Sequence, residues 1–278
     1  MIFAKQAKLS TGWASNVRVT HADGRITDIA PNQTPDAHDT CVDTLLPALA
    51  NLHSHSFQRA MAGMTEYRMA GKDSFWTWRD LMYRFTANLT PEHIEAIAAF
   101  VFLEMQEAGY ASVGEFHYLH HQAGGATYDD LGELSSRIAT AAAKTGIGLT
   151  HLPVLYTCGG AGNMPLEAGE ARFGNSVDRF NDLVARARDV VAHLPADCQV
   201  GIAPHSLRAT SPDDLKAVLA AHTAGPVHIH IAEQPQEVAA ISAWLGARPV
   251  EWLLAHADVT THLCLLHATH MTSAGPTQ

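Results

Sequence analysis

Short alternating segments open the chain. Val17–Thr20 and Arg25–Ile29 flank Ala22-Asp23-Gly24, and an Asp-Gly pair between such segments predicts a β-hairpin. From Pro31 to Asp43 the pattern lapses into proline and polar residues. That stretch sets off a small β unit, residues 1–43, from a larger one, residues 44–278. In the larger unit apolar runs alternate with helical patterns. The runs are Leu45–His53, Ala111–Tyr118, Ile147–Tyr156, Gln199–Pro204, Pro226–Ala232 and Thr261–His267. Short, almost continuously apolar runs are what strands of a parallel sheet require, since both faces are covered. The helices between them have readable ends. Thr90-Pro91 supplies a cap and a first-turn proline, Ile94, Ile97, Ala98, Val101, Phe102 and Met105 form one stripe, and Gly109 stops it. Ser211-Pro212-Asp213-Asp214 opens another helix, and Gly146 closes the one ending at Thr145.

Repeated β-α units predict a parallel sheet with helical crossovers. A doubly wound nucleotide-binding sheet would carry a glycine fingerprint after its first strand. His53-Ser54-His55 stands there instead, and Gly159-Gly160-Ala161-Gly162 runs on into Asn-Met-Pro, which is not the spacing that cradles a pyrophosphate. Chemistry-bearing residues sit at the ends of several runs, which favours a (β/α)8 TIM-type barrel with its site at the C-terminal mouth.

Composition narrows the function classes. With 47% apolar and 17% charged residues, the 278-residue chain is neither disordered nor fibrous. A net charge of −10 disfavours nucleic acid and anionic membranes as partners. Cys41, Cys158, Cys198 and Cys264 form no CxxC pair, and the N-terminal residues lack the apolar stretch of a signal peptide. A soluble, cytoplasmic protein with reduced thiols is expected. The unusual count is 18 histidines, equal to lysine and arginine together.

Three groups of histidines end strands. In His53-Ser54-His55 the period of a strand puts both imidazoles on one side, within reach of one ion. Such a pair alone is a weak signal, because buried histidines are easily satisfied in other ways. In His228-Ile229-His230-Ile231-Ala232-Glu233, His230 can be a third ligand and Glu233 can shuttle the proton of a metal-activated water. The alternative is that Glu233 caps the next helix. His267, ending the sixth run, is placed to orient the water or the substrate's developing charge, whereas His270 reads as a loop residue. Of the histidines in Gly114-Glu115-Phe116-His117-Tyr118-Leu119-His120-His121, not all three can be ligands of a mononuclear site. Arg208, in Pro204-His205-Ser206-Leu207-Arg208, suits either a substrate carboxylate or a rim salt bridge.

LPALANLHSHSFQRAMAG, FWTWRDLMYR, GEFHYLHH, APHSLRA, HIHIAEQ, RPVEWLL and HATHM, in this order, closely resemble the formimidoylglutamate deiminase family of the amidohydrolase superfamily. The resemblance extends to about Met271. It implies a metal-dependent (β/α)8 barrel with a small N-terminal β-sandwich part, one Zn2+ per subunit, and hydrolysis of N-formimidoyl-L-glutamate to N-formyl-L-glutamate and ammonia in histidine degradation. It implies His53, His55 and His230 as zinc ligands, Glu233 as proton shuttle and His267 as the residue steadying the attacking water. Gln58, Arg79, Tyr118, His205 and Arg208 match substrate-contacting positions. The expected partner is a small formimidoyl amino acid, with a homodimer as the assembly to look for. A nucleobase-type deaminase of the same superfamily and an inactive zinc-binding fragment are the alternatives. Family members also use an aspartate at the end of the eighth strand. After His270 this sequence reads Met-Thr-Ser-Ala-Gly-Pro-Thr-Gln. The expectation is therefore a barrel lacking its last two strands, through truncation or a change of reading frame near Ala274.

Overall fold

The computed structural model describes residues 1–65, 75–258 and 261–272, excluding the side chains of Phe75 and Trp76. The first two side chains of the FWTWRDLMYR motif and the end of the chain beyond Thr272 thus lie outside the description. Two compact units emerge, Met1–Leu49 and Ala50–Gln278.

The first unit is a four-stranded sheet of β1 (Ile2–Leu9), β2 (Gly12–Ala22), β3 (Arg25–Ala30) and β4 (Thr40–Leu45) in the order β3-β2-β1-β4. The Asp-Gly hairpin is present. Ala22 pairs with Arg25, and Asp23 and Gly24 between them have φ of 50° and 73°, the left-handed pair that a two-residue turn demands. β4 runs parallel to β1, so Thr44 and Leu45 belong to this sheet rather than to the larger unit. The expected strand Leu45–His53 is corrected accordingly. Leu46–Ala48 form no strand, because Pro47 brings no N–H to a ladder, and β5 covers Leu49–Ser54.

The second unit repeats one motif. After β5 come α1 (Phe75–Thr86), α2 (Pro91–Glu107), β6 (Tyr110–His117), α3 (Glu133–Thr145), β7 (Gly148–Leu155), α4 (Val177–Val191), β8 (Gln199–Val200) and β9 (Ala203–Pro204). α5 (Pro212–Ala221), β10 (Val227–Ile231), α6 (Pro235–Leu245), α7 (Pro249–His256) and β11 (Leu263–His267) complete it. β5, β6, β7 and β8 are neighbours in that order, and β9 also pairs with β7. Parallel bridges Ile202–Val227 and Ser206–His230 continue the order to β10, which pairs in parallel with β11. Spatial order follows chain order without reversal. That is barrel winding, since a doubly wound sheet reverses at a switch point.

The expected run Gln199–Pro204 is one barrel position split into β8 and β9. At the break, Gly201 passes so close to the next strand that a Cβ would lie 2.2 Å from the Pro226 carbonyl oxygen. The helix ends match the sequence signals. Thr90 Oγ1 accepts from His93 N at 3.3 Å, Ser211 Oγ accepts from Asp214 N at 3.1 Å, and Gly146 closes α3 at φ 79°. From the α2 stripe, Ile94, Ala98 and Phe102 are fully buried in a core with Val113, Phe116, Leu149 and Leu152. No helix of the described residues is long and apolar enough to cross a membrane.

Candidate active site

The strand ends of the second unit converge on one cavity of about 250 Å3. β5 carries His53, and His55 follows one residue past its end in extended backbone, so that the two lie on one side. The ring nitrogens that His53, His55 and His230 offer all lie within 4.8 Å of one another. His53 Nε2 is 3.1 Å from His230 Nε2. His55 Nδ1 donates to the Phe116 carbonyl at 2.9 Å, which fixes its tautomer and leaves Nε2 as a lone-pair donor. Burial holds all three imidazoles neutral. It lowers His53 to about 3, reinforced by His55 and His267. It lowers His55 to about 4, against the opposing Phe116 bond, and His230 falls well below the usual histidine range, with His205 adding to burial. Neutral, converging imidazole nitrogens are the donor set of a zinc-type cation, so the residues present fit a metal.

The supports lie beside the ligands. Gly114 on β6 lets β5 approach, since a Cβ there would sit 2.8 Å from the Leu52 carbonyl oxygen. The next residue, Glu115, is fully buried, and its Oε1 accepts from Ser56 N at 2.8 Å and Ser56 Oγ at 2.7 Å. It thereby grips the chain immediately after His55. Burial raises this carboxyl to about 7.

Glu233 follows Ala232, whose φ of 50° turns the chain sharply off β10. It does not cap the next helix. Gln234 is the cap residue of α6, without a side-chain bond, and Glu237 Oε2 accepts from Glu233 N at 3.1 Å. The Glu233 side chain lines the cavity. His267 ends β11 in the left-handed region at φ 68°, exposed, its ring stacked 5.1 Å from that of His230. Non-glycine residues at positive φ cost about 1–3 kcal/mol each and gather at functional sites.

His205 stands between His230 and Tyr156, with ring separations of 5.0 and 4.8 Å. Beyond it Arg208 Nη1 lies 3.5 Å from Tyr156 Oη, and the Arg79 guanidinium lies 5.4 Å from the centre of the Tyr83 ring. Gln58 Nε2 donates to Tyr118 Oη at 2.8 Å. All ten residues singled out in the sequence, namely the three candidate ligands, Glu233, His267, Gln58, Arg79, Tyr118, His205 and Arg208, line this cavity.

Sequence reasoning missed Trp78, Met82, Tyr83, Tyr156 and Phe173, which line it too. The motif FWTWRDLMYR held the first three, and Tyr156 ended the third expected strand. His117, His120 and His121 are buried outside the cavity, and of the GEFHYLHH histidines none reaches it. His228 is buried on β10, and His270 lies in the loop after β11, where its N–H donates to the Ala232 carbonyl at 3.0 Å.

Comparison with known proteins identifies the family. The amidohydrolase family model matches residues 44–277, and a model described as the N-terminal domain of formimidoylglutamate deiminase HutF matches residues 1–41. A formimidoylglutamate deiminase of Pseudomonas aeruginosa is 48% identical over 97% of this chain and 59% of its own length. An amidohydrolase of Brucella melitensis superposes with a TM-score of 0.94 at 47% identity, over 98% of this chain and 60% of that one. A zinc-bound adenosine deaminase of Xanthomonas campestris has the same fold, with a TM-score of 0.71 at 19% identity over 98% of this chain and 58% of that one. This chain thus spans about three fifths of the length of these relatives.

Proposed function

The chain belongs to the amidohydrolase family, and from that premise we propose zinc-dependent hydrolysis of N-formimidoyl-L-glutamate to N-formyl-L-glutamate and ammonia. The observation that carries the reading is one cavity joining three convergent imidazoles, a carboxylate at Glu233 and two guanidiniums at Arg79 and Arg208. His53, His55 and His230 would hold one Zn2+. When bound, the metal supplies the Lewis acidity that makes a water nucleophilic near neutral pH. Glu233 accepts a proton of the attacking water and passes it to the amidine nitrogen, the remaining hydroxyl proton follows by the same carboxylate, and ammonia leaves as the tetrahedral carbon collapses to the formyl carbonyl. His267 steadies the attacking water. Arg79 and Arg208 take the two carboxylates of the glutamyl part, which planar guanidiniums bind in bidentate fashion. Gln58, Tyr118 and His205 line the path between and orient the amidine. The same reading implies a cytoplasmic enzyme, in keeping with four cysteines that are all free, and a homodimer as its assembly.

The guanidinium pair separates this reading from nucleobase deamination, because a purine or pyrimidine brings no carboxylate. Ammonia release from N-formimidoyl-L-glutamate, guanine and cytosine tests it. Release from the first alone is expected, and release from a nucleobase alone would overturn the assignment.

A further inference from the structure

The connection between β7 and α4 carries the glycine-rich stretch Gly159–Gly162 and a short helical turn, Ala168–Glu170. The last residue of that turn, Glu170, is only 1% exposed. Its Oε1 accepts from Tyr83 Oη at 3.1 Å and from Tyr156 Oη at 2.9 Å, and its Oε2 accepts from Glu167 N at 3.0 Å. Room for this arrangement is made by two residues without side chains. A Cβ on Gly159 would lie 2.6 Å from Glu170 Oε2, and one on Gly169 would lie 2.5 Å from the Tyr83 ring.

In both of these contacts the phenol donates and the carboxylate oxygen accepts. Both phenolic protons are therefore committed to Glu170, and burial keeps them in place by raising Tyr156 to about 12 and Tyr83 further still. With its proton turned inward, Tyr156 Oη offers lone pairs toward Arg208 Nη1, 3.5 Å away. The Tyr83 ring, pinned by the same carboxylate, presents its face to the Arg79 guanidinium at 5.4 Å. One buried carboxylate thus fixes the two aromatic residues against which both guanidiniums rest.

We infer that Glu170 is a positioning residue for recognition of a dicarboxylate substrate, acting on Arg79 and Arg208 through Tyr83 and Tyr156. This inference rests on the proposed glutamyl substrate. Groups that hold others in register contribute through orientation, so the effect belongs in binding of the acid rather than in metal capture.

Calorimetric titration with N-formyl-L-glutamate, alongside zinc content and thermal melting, tests it on the full chain. In E170A the dissociation constant should rise at least about tenfold, a loss of the size expected for hydrogen bonds to a charged group, with zinc content unchanged. E170Q keeps an acceptor for the phenols and should recover most of that loss. Y156F, which deletes one hydroxyl, should show a smaller rise. In kinetics with N-formimidoyl-L-glutamate, KM should rise with kcat nearly constant. Equal affinity in E170A and the unaltered chain would overturn the role of Glu170, as would an E170Q chain as impaired as E170A. A parent chain that binds zinc but no N-formyl-L-glutamate would instead remove the substrate reading itself.

Discussion

Two groups of histidines share the second unit and differ in how their rings are arranged. At the mouth, His53, His55 and His230 point ring nitrogens at one another within 4.8 Å. Behind the sheet, His117, His120, His121 and His151 are no less buried, at 0–1% exposure. There the rings look outward to separate partners. His120 Nε2 meets the Val154 carbonyl at 2.9 Å, His121 Nε2 meets Asn175 Oδ1 at 3.0 Å, and His151 Nε2 meets Ser135 Oγ at 3.0 Å. His117 packs between, its ring 5.3 Å from that of His151. Burial makes the imidazoles neutral in both groups. Neutrality is thus shared, and convergence alone distinguishes a ligand set from a structural network.

The largest expected effect separates the groups directly. His230→Ala should reduce bound zinc and ammonia release to background, while His120→Ala should leave metal content intact. Elemental analysis after gel filtration reads both, and zinc retained by the first variant would dissolve the distinction. Next in size is Glu233→Gln, which keeps all three nitrogens. Its kcat should fall about 10^2- to 10^4-fold, the range for removing a general acid–base group, with zinc still bound. Activity near that of the parent would exclude Glu233 from proton transfer.

Acid sharpens the comparison from the other side. Burial lowers His151 to about 3 and places His117 and His120 well below their ordinary value of 6.5. Such groups bind protons more readily in the unfolded chain. Their contribution to stability is present in full above pH 6.5 and declines as pH falls from there toward the folded value. The slope is about 1.4 kcal/mol per pH unit for each histidine. Urea unfolding at several pH values should show it, with a shallower decline in His151→Gln. A stability that stays flat from pH 7 to pH 5 would contradict the neutral network. The smallest effect is expected at Arg208, on the cavity wall. Arg208→Met should raise KM roughly tenfold with little change in kcat, as expected for binding energy common to ground and transition states.

Much of the mouth was legible because short-range rules govern it. A strand alternates sides every residue, so His-x-His at a strand end already states that two rings share a direction. Glu233 was legible for the same reason, lying two residues past the end of β10. Helix starts at Thr90 and Ser211 were visible in their caps. The rest escaped where distance along the chain grows. Strands β1 and β4 pair in parallel across more than thirty residues, and Pro47 broke a run that hydrophobicity alone joined to the next strand. Tyr83, Tyr156 and Glu170 meet only in space. No spacing announces that meeting, since two helices and two strands separate Tyr83 from Tyr156 and the irregular course from Tyr156 to Glu170 is set by packing.

The long β7–α4 connection has an evolutionary corollary. The candidate metal ligands sit on strands that the core holds rigidly, whereas Glu170 and the glycines that make room for it belong to a loop. Loops tolerate insertion and exchange far better than barrel strands do. An exchange of this one segment would therefore leave His53, His55 and His230 in place. The fold separates the candidate ligands from the segment that positions Tyr83 and Tyr156, and a library confined to residues 157–175 varies the second without touching the first.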